Sequence, residues 1–559
     1  MMAFTPKAFV FATLALIISL GAWLRFDHLD YGKEDIETRP DDSYHVNFVL
    51  HLAAKVTNQH DVKTLSIQNW GPNYIGLNLV HFLLANNREI FRNNREEVKD
   101  FLNQTIAMPH QAIMRIRKMS AIFSTLSLIL IFLIAQQFFD YKSGLFAAAV
   151  CAVSPLLITE AKTAKEDSLL LLLMLLNILL LIFYLKKRAL VFLLIGAFLS
   201  GFAFGVKIIG ILMVPLYGVV FLHDFLKENK RRNAINPFNN ISLKLWNYVI
   251  FFFLGYAFLN FYLLISPLTV LRTFLNMFST FGSKEDAPSN APFFLFEVLP
   301  YGIGWVLSAL PFVAVIYFLL KKNWSALSLA AICGMLLVLL NKSPLVFDRY
   351  ILFLIPAAAI LAFGFIASVT LGKSIGIRVG IPILILVAAA WQLVPTTLAT
   401  NDILGKPSTR KLAGDYLRKQ VSEGDSALVL RYDFWLGQGP MYGLNPVKRD
   451  WFDNPKWIKR AKEYVAFDNL EFLSINNLGD RKPDWVVVEY HANGDMSLFP
   501  EQIQVAEPLL ATGYEEVFST TPAINFEKVK FNSWALPIGG LKNAQTYGPR
   551  IKIFKKTGK

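Results

Sequence analysis

The stretch Ser154-Pro155-Leu156-Leu157-Ile158-Thr159-Glu160-Ala161-Lys162-Thr163-Ala164-Lys165-Glu166-Asp167 ends one apolar run, over 144–158, and leads into a second, over 168–185. Runs of that length and character read as membrane spans. The polar segment between them is short and highly charged, so the two spans carry a cluster of carboxylates and lysines at one membrane surface. Ser154-Pro155 reads as a helix boundary, because proline cannot continue a hydrogen-bonded helix through its own nitrogen.

Outward from this stretch the pattern repeats. Apolar segments predict about eleven helices, near 8–24, 114–138, 144–158, 168–185, 189–206, 207–223, 246–266, 299–320, 325–341, 349–370 and 376–396. The 559 residues are 54% hydrophobic and include 47 Phe, with a mean hydropathy of +0.43. The fold class is therefore a polytopic α-helical membrane protein rather than a soluble enzyme. Cys151 and Cys333 both lie inside apolar runs, which excludes an external disulfide framework. The opening segment Ala8–Leu24 follows a lysine like a signal peptide, but no small-residue cleavage site follows it, so it reads as the first span.

Basic residues set the expected orientation. With a cytoplasmic N-terminus, the cytoplasmic loops hold Lys142, Lys186, Lys187, Arg188, Lys227, Lys230, Arg231, Arg232, Lys244, Lys321, Lys322, Lys373 and Arg378, against only Asp140, Asp224 and Glu228. This surplus supplies most of the net charge of +14. The basic balance is thus a topology signal and not a nucleic-acid footprint. The expected location is the cell membrane, with the first loop (26–111), the 159–167 turn, 266–297, 341–348 and the C-terminal region outside.

Two domains are expected, 1–397 in the membrane and 398–559 as an external soluble α/β domain. From Asn401 onward charges are dense and nearly balanced, and β-rich runs occur at 426–430, 485–490, 515–519 and 551–554. Helical patterns lie between them at 409–421 and 454–465. In the first loop, Tyr44, Phe48, Val49, Leu52, Ala53 and Val56 form one apolar face, and a second such segment runs over 76–91. Amphipathic helices of this kind are expected to lie along the bilayer surface. His45, His51, His60 and His81 show no metal-ligand spacing and read as polar surface residues.

Adjacent carboxylates mark two places. Asp41-Asp42-Ser43 precedes an amphipathic helix, where one short side chain would suffice as an N-cap. The second carboxylate favours chemistry: one group accepts a proton from an attacking hydroxyl while the other orients a substrate. Glu160, Lys162 and Asp167 form the other cluster, which also reads as a solvated loop. Lys207 stands between two apolar helices with no acidic neighbour in sequence. A cation at such depth is expensive and needs an anionic partner, a phosphate being one, unless it snorkels to the surface. Arg349 begins a late helix and can grip a phosphate bidentately, with Asp348 beside it as a competing neutraliser. No Walker loop, nucleophile elbow or dinucleotide fingerprint stands in a suitable context.

Together these motifs resemble the membrane-embedded GT-C glycosyltransferases related to protein O-mannosyltransferases and lipid A aminoarabinose transferases. Pro40-Asp41-Asp42-Ser43-Tyr44 is similar to their Asp-Glu-x-Tyr-Tyr motif. Ser154-Pro155 followed by Glu160-Ala161-Lys162 and Asp167 is similar to their Ser-Pro, Glu-x-Arg, Asp pattern. Gly205-Val206-Lys207 resembles their Thr-Lys helix start, and Asp348-Arg349-Tyr350 with Pro356 their late Arg-Tyr helix. The ordered set covers residues 1–370. Asp42 departs from the usual Glu, His45 from a common aromatic and Lys162 from the usual Arg.

The resemblance implies inverting transfer of a sugar from a polyprenyl-phosphate donor to a lipid, glycan or protein acceptor at the external membrane face. Asp41 would be the general base, with Asp42 as the second carboxylate. Lys207, Arg349 and Lys162 would hold the donor phosphate, and Glu160, Asp167 and Tyr44 would support the substrate site. Membrane lipids are the other expected partners; no cofactor is required, a divalent metal is not indicated, and no nucleic acid is expected. A transporter or flippase of lipid-linked sugars is the alternative. Against it, charges gather on one face, no inverted repeat is visible and few ionisable groups lie mid-span. An oligosaccharyltransferase would carry a Trp-Trp-Asp type motif, which Arg449-Asp450-Trp451-Phe452 is not. An aromatic-rich stretch, Tyr432 to Trp457, reads either as a sugar-stacking surface or as core.

Overall fold

The structure is a computed structural model that describes residues 6–31, 40–57, 71–107, 110–229, 237–265, 267–268, 270, 289–341, 348–407, 409–422, 424–430, 471–473, 478, 481–490, 500–520 and 550–558. It divides into two compact units. The first comprises Met1–Leu29, His45–Ile106 and Gln111–Thr397; the second comprises Asp30–Tyr44, Ala107–His110 and Leu398–Lys559.

The first unit is helical. In chain order it contains α1 (Pro6–Phe26), α2 (Pro40–Val56, whose first turn falls in the second unit), α3 (Pro72–Ala85), α4 (Asn87–Phe91), α5 (Arg95–Ala107), α6 (His110–Phe138), α7 (Tyr141–Ala152), α8 (Pro155–Ala161), α9 (Asp167–Lys187), α10 (Leu190–Val206), α11 (Met213–Asn229), α12 (Pro237–Ala257) and α13 (Phe261–Ile265). Later helices run over Ala291–Ile303, Trp305–Leu320, Trp324–Asn341, Leu354–Thr370 and Ile375–Leu404. Among the described residues, six helices are long and apolar enough to cross a membrane, or up to eight if α7 with α8 and Ala291–Ile303 with Trp305–Leu320 each count as one broken span. Every apolar segment expected from the sequence is mainly helical over its described part, with breaks at Ser154, Lys207, Asn260 and Gly304, but not every one meets the length and apolarity of a full crossing.

Local chemistry explains the breaks. The Asp140 carboxylate accepts from the Ser143 amide at 2.7 Å and so caps α7. Ser154 caps α8 by accepting from the Leu157 amide, and Pro155 takes the first helical position, where no amide donor is needed. The chain bends by 61° between α7 and α8. Between α9 and α10 the chain reverses through Arg188, whose φ of 55° closes the tight turn.

Helix contacts use small residues and polar links, as expected where lipid supplies no hydrophobic drive to association. At Gly201 a Cβ would stand 1.8 Å from the Phe252 carbonyl, and at Gly255 a Cβ would stand 1.8 Å from the Phe198 carbonyl. These glycines let α10 and α12 approach backbone to backbone. The buried Asn177 side chain joins α9 to its neighbours: its oxygen accepts from Ser200 at 2.9 Å and from Tyr217 at 3.3 Å. By contrast, α1 and Ile375–Leu404 leave large apolar side chains such as Phe11, Leu16, Leu384 and Trp391 exposed, the surface a bilayer would cover.

Burial in α2 and α3 is not confined to the one face that their sequence patterns predict. In α2, His45, Val46, Phe48, Val49, Leu50, Leu52, Ala53 and Ala54 are all buried. Gly76 of α3 packs against the Leu259 carbonyl so closely that a Cβ would come within 1.8 Å. The segment expected over 76–91 is broken at Asn86, whose amide groups satisfy the end of α3 through Phe82.

In the second unit, five strands form one mixed sheet in the order β2-β1-β3-β5-β4, where β1 is Ser426–Leu430, β2 Glu471–Leu473, β3 Trp485–Tyr490, β4 Tyr514–Ser519 and β5 Arg550–Lys556. β1 pairs in parallel with β2 and β3, whereas β5 runs antiparallel to β3 and β4. Alternation along β3 sends Trp485 and Val487 to one face, against the helix Thr409–Gln420, and Val486 and Val488 to the other, against Pro500–Ala511. Each expected strand is present. The helix expected at 454–465 and the aromatic stretch 432–457 lie outside the described residues.

Candidate active site

The start of α9 and the end of α10 meet because the two helices run antiparallel, and the short α8–α9 turn and α2 close around them. Lys207 ends α10 in an extended conformation (φ −158°, ψ 143°), after which a 3₁₀ turn, Ile208–Leu212, leads into α11. Its ammonium lies 2.5 Å from Asp167 Oδ1 and 3.0 Å from Glu166 Oε1. Lys207 is 7% exposed and does not snorkel. The anionic partner that its depth demands is thus supplied by the protein itself, by two carboxylates at the charged turn.

The chain of charges extends on both sides. Arg349, in the 3₁₀ turn Asp348–Ile351, places Nε 3.8 Å from Asp167 Oδ2. Asp348 is engaged locally, its carboxylate accepting from the Arg349 amide at 2.8 Å. The Tyr350 ring lies under both cations, its centroid 5.2 Å from the Lys207 nitrogen and 5.8 Å from the Arg349 guanidinium carbon. On the other side, His45 of α2 sets Nε2 at 3.0 Å from Glu166 Oε2.

Burial sharpens every one of these contacts, since charges interact more strongly away from water. Burial by itself would raise the Glu166 carboxyl, but Lys207 and then His45 outweigh it and hold the group well below the usual carboxylate range. Two carboxylates and two cations make the core of the cluster electrically balanced. Arg349 is its more open cation, with 16% of its side chain exposed against 8% for Lys207.

Lys162 and Glu160 are placed differently. The Lys162 ammonium donates to the Asp27 carbonyl at the end of α1. Burial, opposed by Asp27 and reinforced by Arg25, draws that ammonium down to about 7. Glu160 is buried on α8, and its backbone carbonyl accepts from the Thr163 hydroxyl at 2.8 Å, which folds the turn. Arg25, fully buried on α1, donates to the Cys151 and Ala152 carbonyls at 3.0 and 3.1 Å and to Ser124 at 2.8 Å. It caps the end of α7 just before the bend that delivers α8 and the charged turn. Asp41 and Asp42 stand in the first turn of α2, but their side chains and that of Tyr44 lie outside the described residues, as does the loop 342–347.

Two site residues escape the sequence reading. His45 is not a surface histidine: it is buried against Glu166 and meets the Tyr74 ring edge-on, centroids 5.4 Å apart. Glu166 is the shared anion of the cluster, although Glu160 and Asp167 carry the motif. For Glu166, helix arithmetic is the signal that would have found it. Helices of 21 and 17 residues joined by a tight turn have similar lengths, so the residues before the first face those after the second. Among the described residues, no group of three or more His, Cys, Asp or Glu side chains is placed to hold a metal ion.

Residues 102–235, which contain the charged turn and Lys207, match the family model described as dolichyl-phosphate-mannose-protein mannosyltransferase. No curated protein matches the chain in sequence. Among solved structures, the chain is similar to the archaeal oligosaccharyltransferase AglB from Archaeoglobus fulgidus in complex with an inhibitory peptide and a dolichol-phosphate. That likeness has a TM-score of 0.52 at 12% identity and covers 93% of this chain and 74% of that one. It is also similar to ArnT from Cupriavidus metallidurans in the apo state, with a TM-score of 0.50 at 12% identity over 98% of both chains. At that identity the likeness is one of fold, shared with both of these membrane proteins.

Proposed function

We propose that the protein transfers a sugar from a polyprenyl-phosphate donor to a lipid, glycan or protein acceptor at the external face of the cell membrane, with inversion at the anomeric carbon. The observation that carries this reading is the buried, charge-balanced set of Lys207, Arg349, Glu166 and Asp167, formed within and beside the segment that matches the mannosyltransferase family. Support for the lipid carrier comes from the dolichol-phosphate in the AglB complex, which belongs to that protein.

In the reaction, the acceptor oxygen bonds to the anomeric carbon from the side opposite the phosphate. The carbon–oxygen bond to the phosphate breaks, its electron pair stays on the phosphate, and the acceptor proton passes to Asp41, with Asp42 as its neighbour. The leaving phosphate gains negative charge as this happens. Arg349 and Lys207 are the cations suited to stabilise it, and their carboxylate partners fix them in advance, so little reorganisation is needed during the step. Lys162, held at the end of α1, is the third candidate cation. Purified protein in detergent, given polyprenyl-phosphate sugars, should release free polyprenyl phosphate and glycosylated acceptor. Transbilayer movement of intact donor in vesicles without bond cleavage would establish a flippase instead.

A further inference from the structure

Glu166 has two partners, and they come from different parts of the chain. Its Oε1 holds Lys207 and its Oε2 faces His45 Nε2, each at 3.0 Å. His45 is 4% exposed and sits among Val46, Phe48 and Val49, all buried. An imidazole in such surroundings costs stability unless its polar edge is engaged. Packing alone would be served by phenylalanine, which could keep the edge-on contact with Tyr74. The ring nitrogen is therefore there for Glu166. Along α2, Asp41 and Asp42 precede His45 by four and three residues, one helical turn.

We propose that His45 is a positioning residue: through Nε2 it fixes the Glu166 carboxylate that holds Lys207, and it thereby anchors the buried stretch of α2 from His45 onward to the charged turn. The strut stands on its own geometry; only its effect on turnover rests on the function proposed above. His45 belongs to the half of α2 that packs with the charged turn, so the strut acts on the helix one turn beyond the two aspartates.

The test uses the full chain in detergent as His45→Phe, His45→Gln, Glu166→Gln and the double variant His45→Phe with Glu166→Gln. Glutamine places an amide donor near the position of Nε2, whereas phenylalanine keeps only the ring. Amide hydrogen exchange in residues 45–50 should quicken by about tenfold or more in His45→Phe and stay within about threefold of wild type in His45→Gln, because local opening reports the loss of a specific anchor. Sugar transfer should show kcat lowered by about tenfold in His45→Phe with donor KM changed by less than about threefold, and glutamine should restore most of it. The double variant should be no slower than the worse of its two single variants.

Wild-type exchange in His45→Phe would overturn the strut, as would equal losses in the phenylalanine and glutamine variants. Additive costs in the double variant would show that His45 and Glu166 act separately, which also overturns it. If exchange behaves as stated while wild type cleaves no polyprenyl-phosphate sugar, the strut holds and the proposed reaction is wrong.

Discussion

Replacing Lys207 with methionine removes one charge from a cluster that balances two against two. An isolated buried lysine would be better replaced by an apolar side chain of similar size, and the protein would gain stability. Here the ammonium sits 2.5 Å from Asp167 and 3.0 Å from Glu166, and all three groups are buried. Breaking a buried pair by removing one partner costs about 3–5 kcal/mol, because the other charge is left without compensation. Arg349 at 3.8 Å and His45 at 3.0 Å remain to answer the two carboxylates, which puts the expected loss near the lower end of that range. Melting in detergent, followed by the fraction remaining monodisperse, should therefore fall by several degrees in Lys207→Met. Adding Asp167→Asn should recover part of that loss, since removing both partners of a buried pair is close to neutral. Adding polyprenyl phosphate should raise the melting point of wild type by mass action and raise that of the variant much less. A Lys207→Met protein as stable as wild type, or a double variant showing the sum of two separate losses, would refute the pairing as the reason Lys207 is there.

Asp41→Asn keeps size and hydrogen bonding but loses basicity, so turnover should fall by about 10²-fold or more while the melting point is unchanged; full activity would pass the role to Asp42. Lys162 titrates near 7 when folded and near 10.4 when unfolded, so between those values the unfolded chain binds more protons and stability rises with pH. Below about pH 7 the lysine is charged in both states and its burial penalty is fully present, so Lys162→Met should flatten the rise in melting point measured from about pH 7 to 9. Membrane-impermeant thiol labelling of intact cells should modify a cysteine placed at Ser422 and spare one at Lys187, with little background from the buried Cys151 and Cys333; the reverse pattern would invert the orientation.

How much could be read from the chain depends on the range of the interaction. Apolar runs and the Ser154-Pro155 break are local, and each produces the expected helix or bend. The alternating strands of the second unit were legible for the same reason, as Trp485 and Val487 against Val486 and Val488 show. The breadth of burial in α2 was not, because one apolar stripe says only that one face is buried. His45 stands on that stripe, three and four residues before Phe48 and Val49, and its partner Glu166 lies 121 residues away in sequence. Lys207 was legible as a costly cation, but its carboxylate partners became evident only once α9 and α10 were set side by side.

At the far end of α9 lies another buried carboxylate, Asp224 of α11, which accepts from Tyr184 at 2.8 Å, pairs with Arg188 and lies 3.5 Å from Lys244. Helix α9 is thus moored at both ends, by Asp167 to Lys207 and by Arg188 to Asp224. With α10 packed closely on α12 through Gly201 and Gly255 as well, α9, α10, α11 and α12 are tied to one another at several separate points, so a change at one end of α9 is resisted at the other.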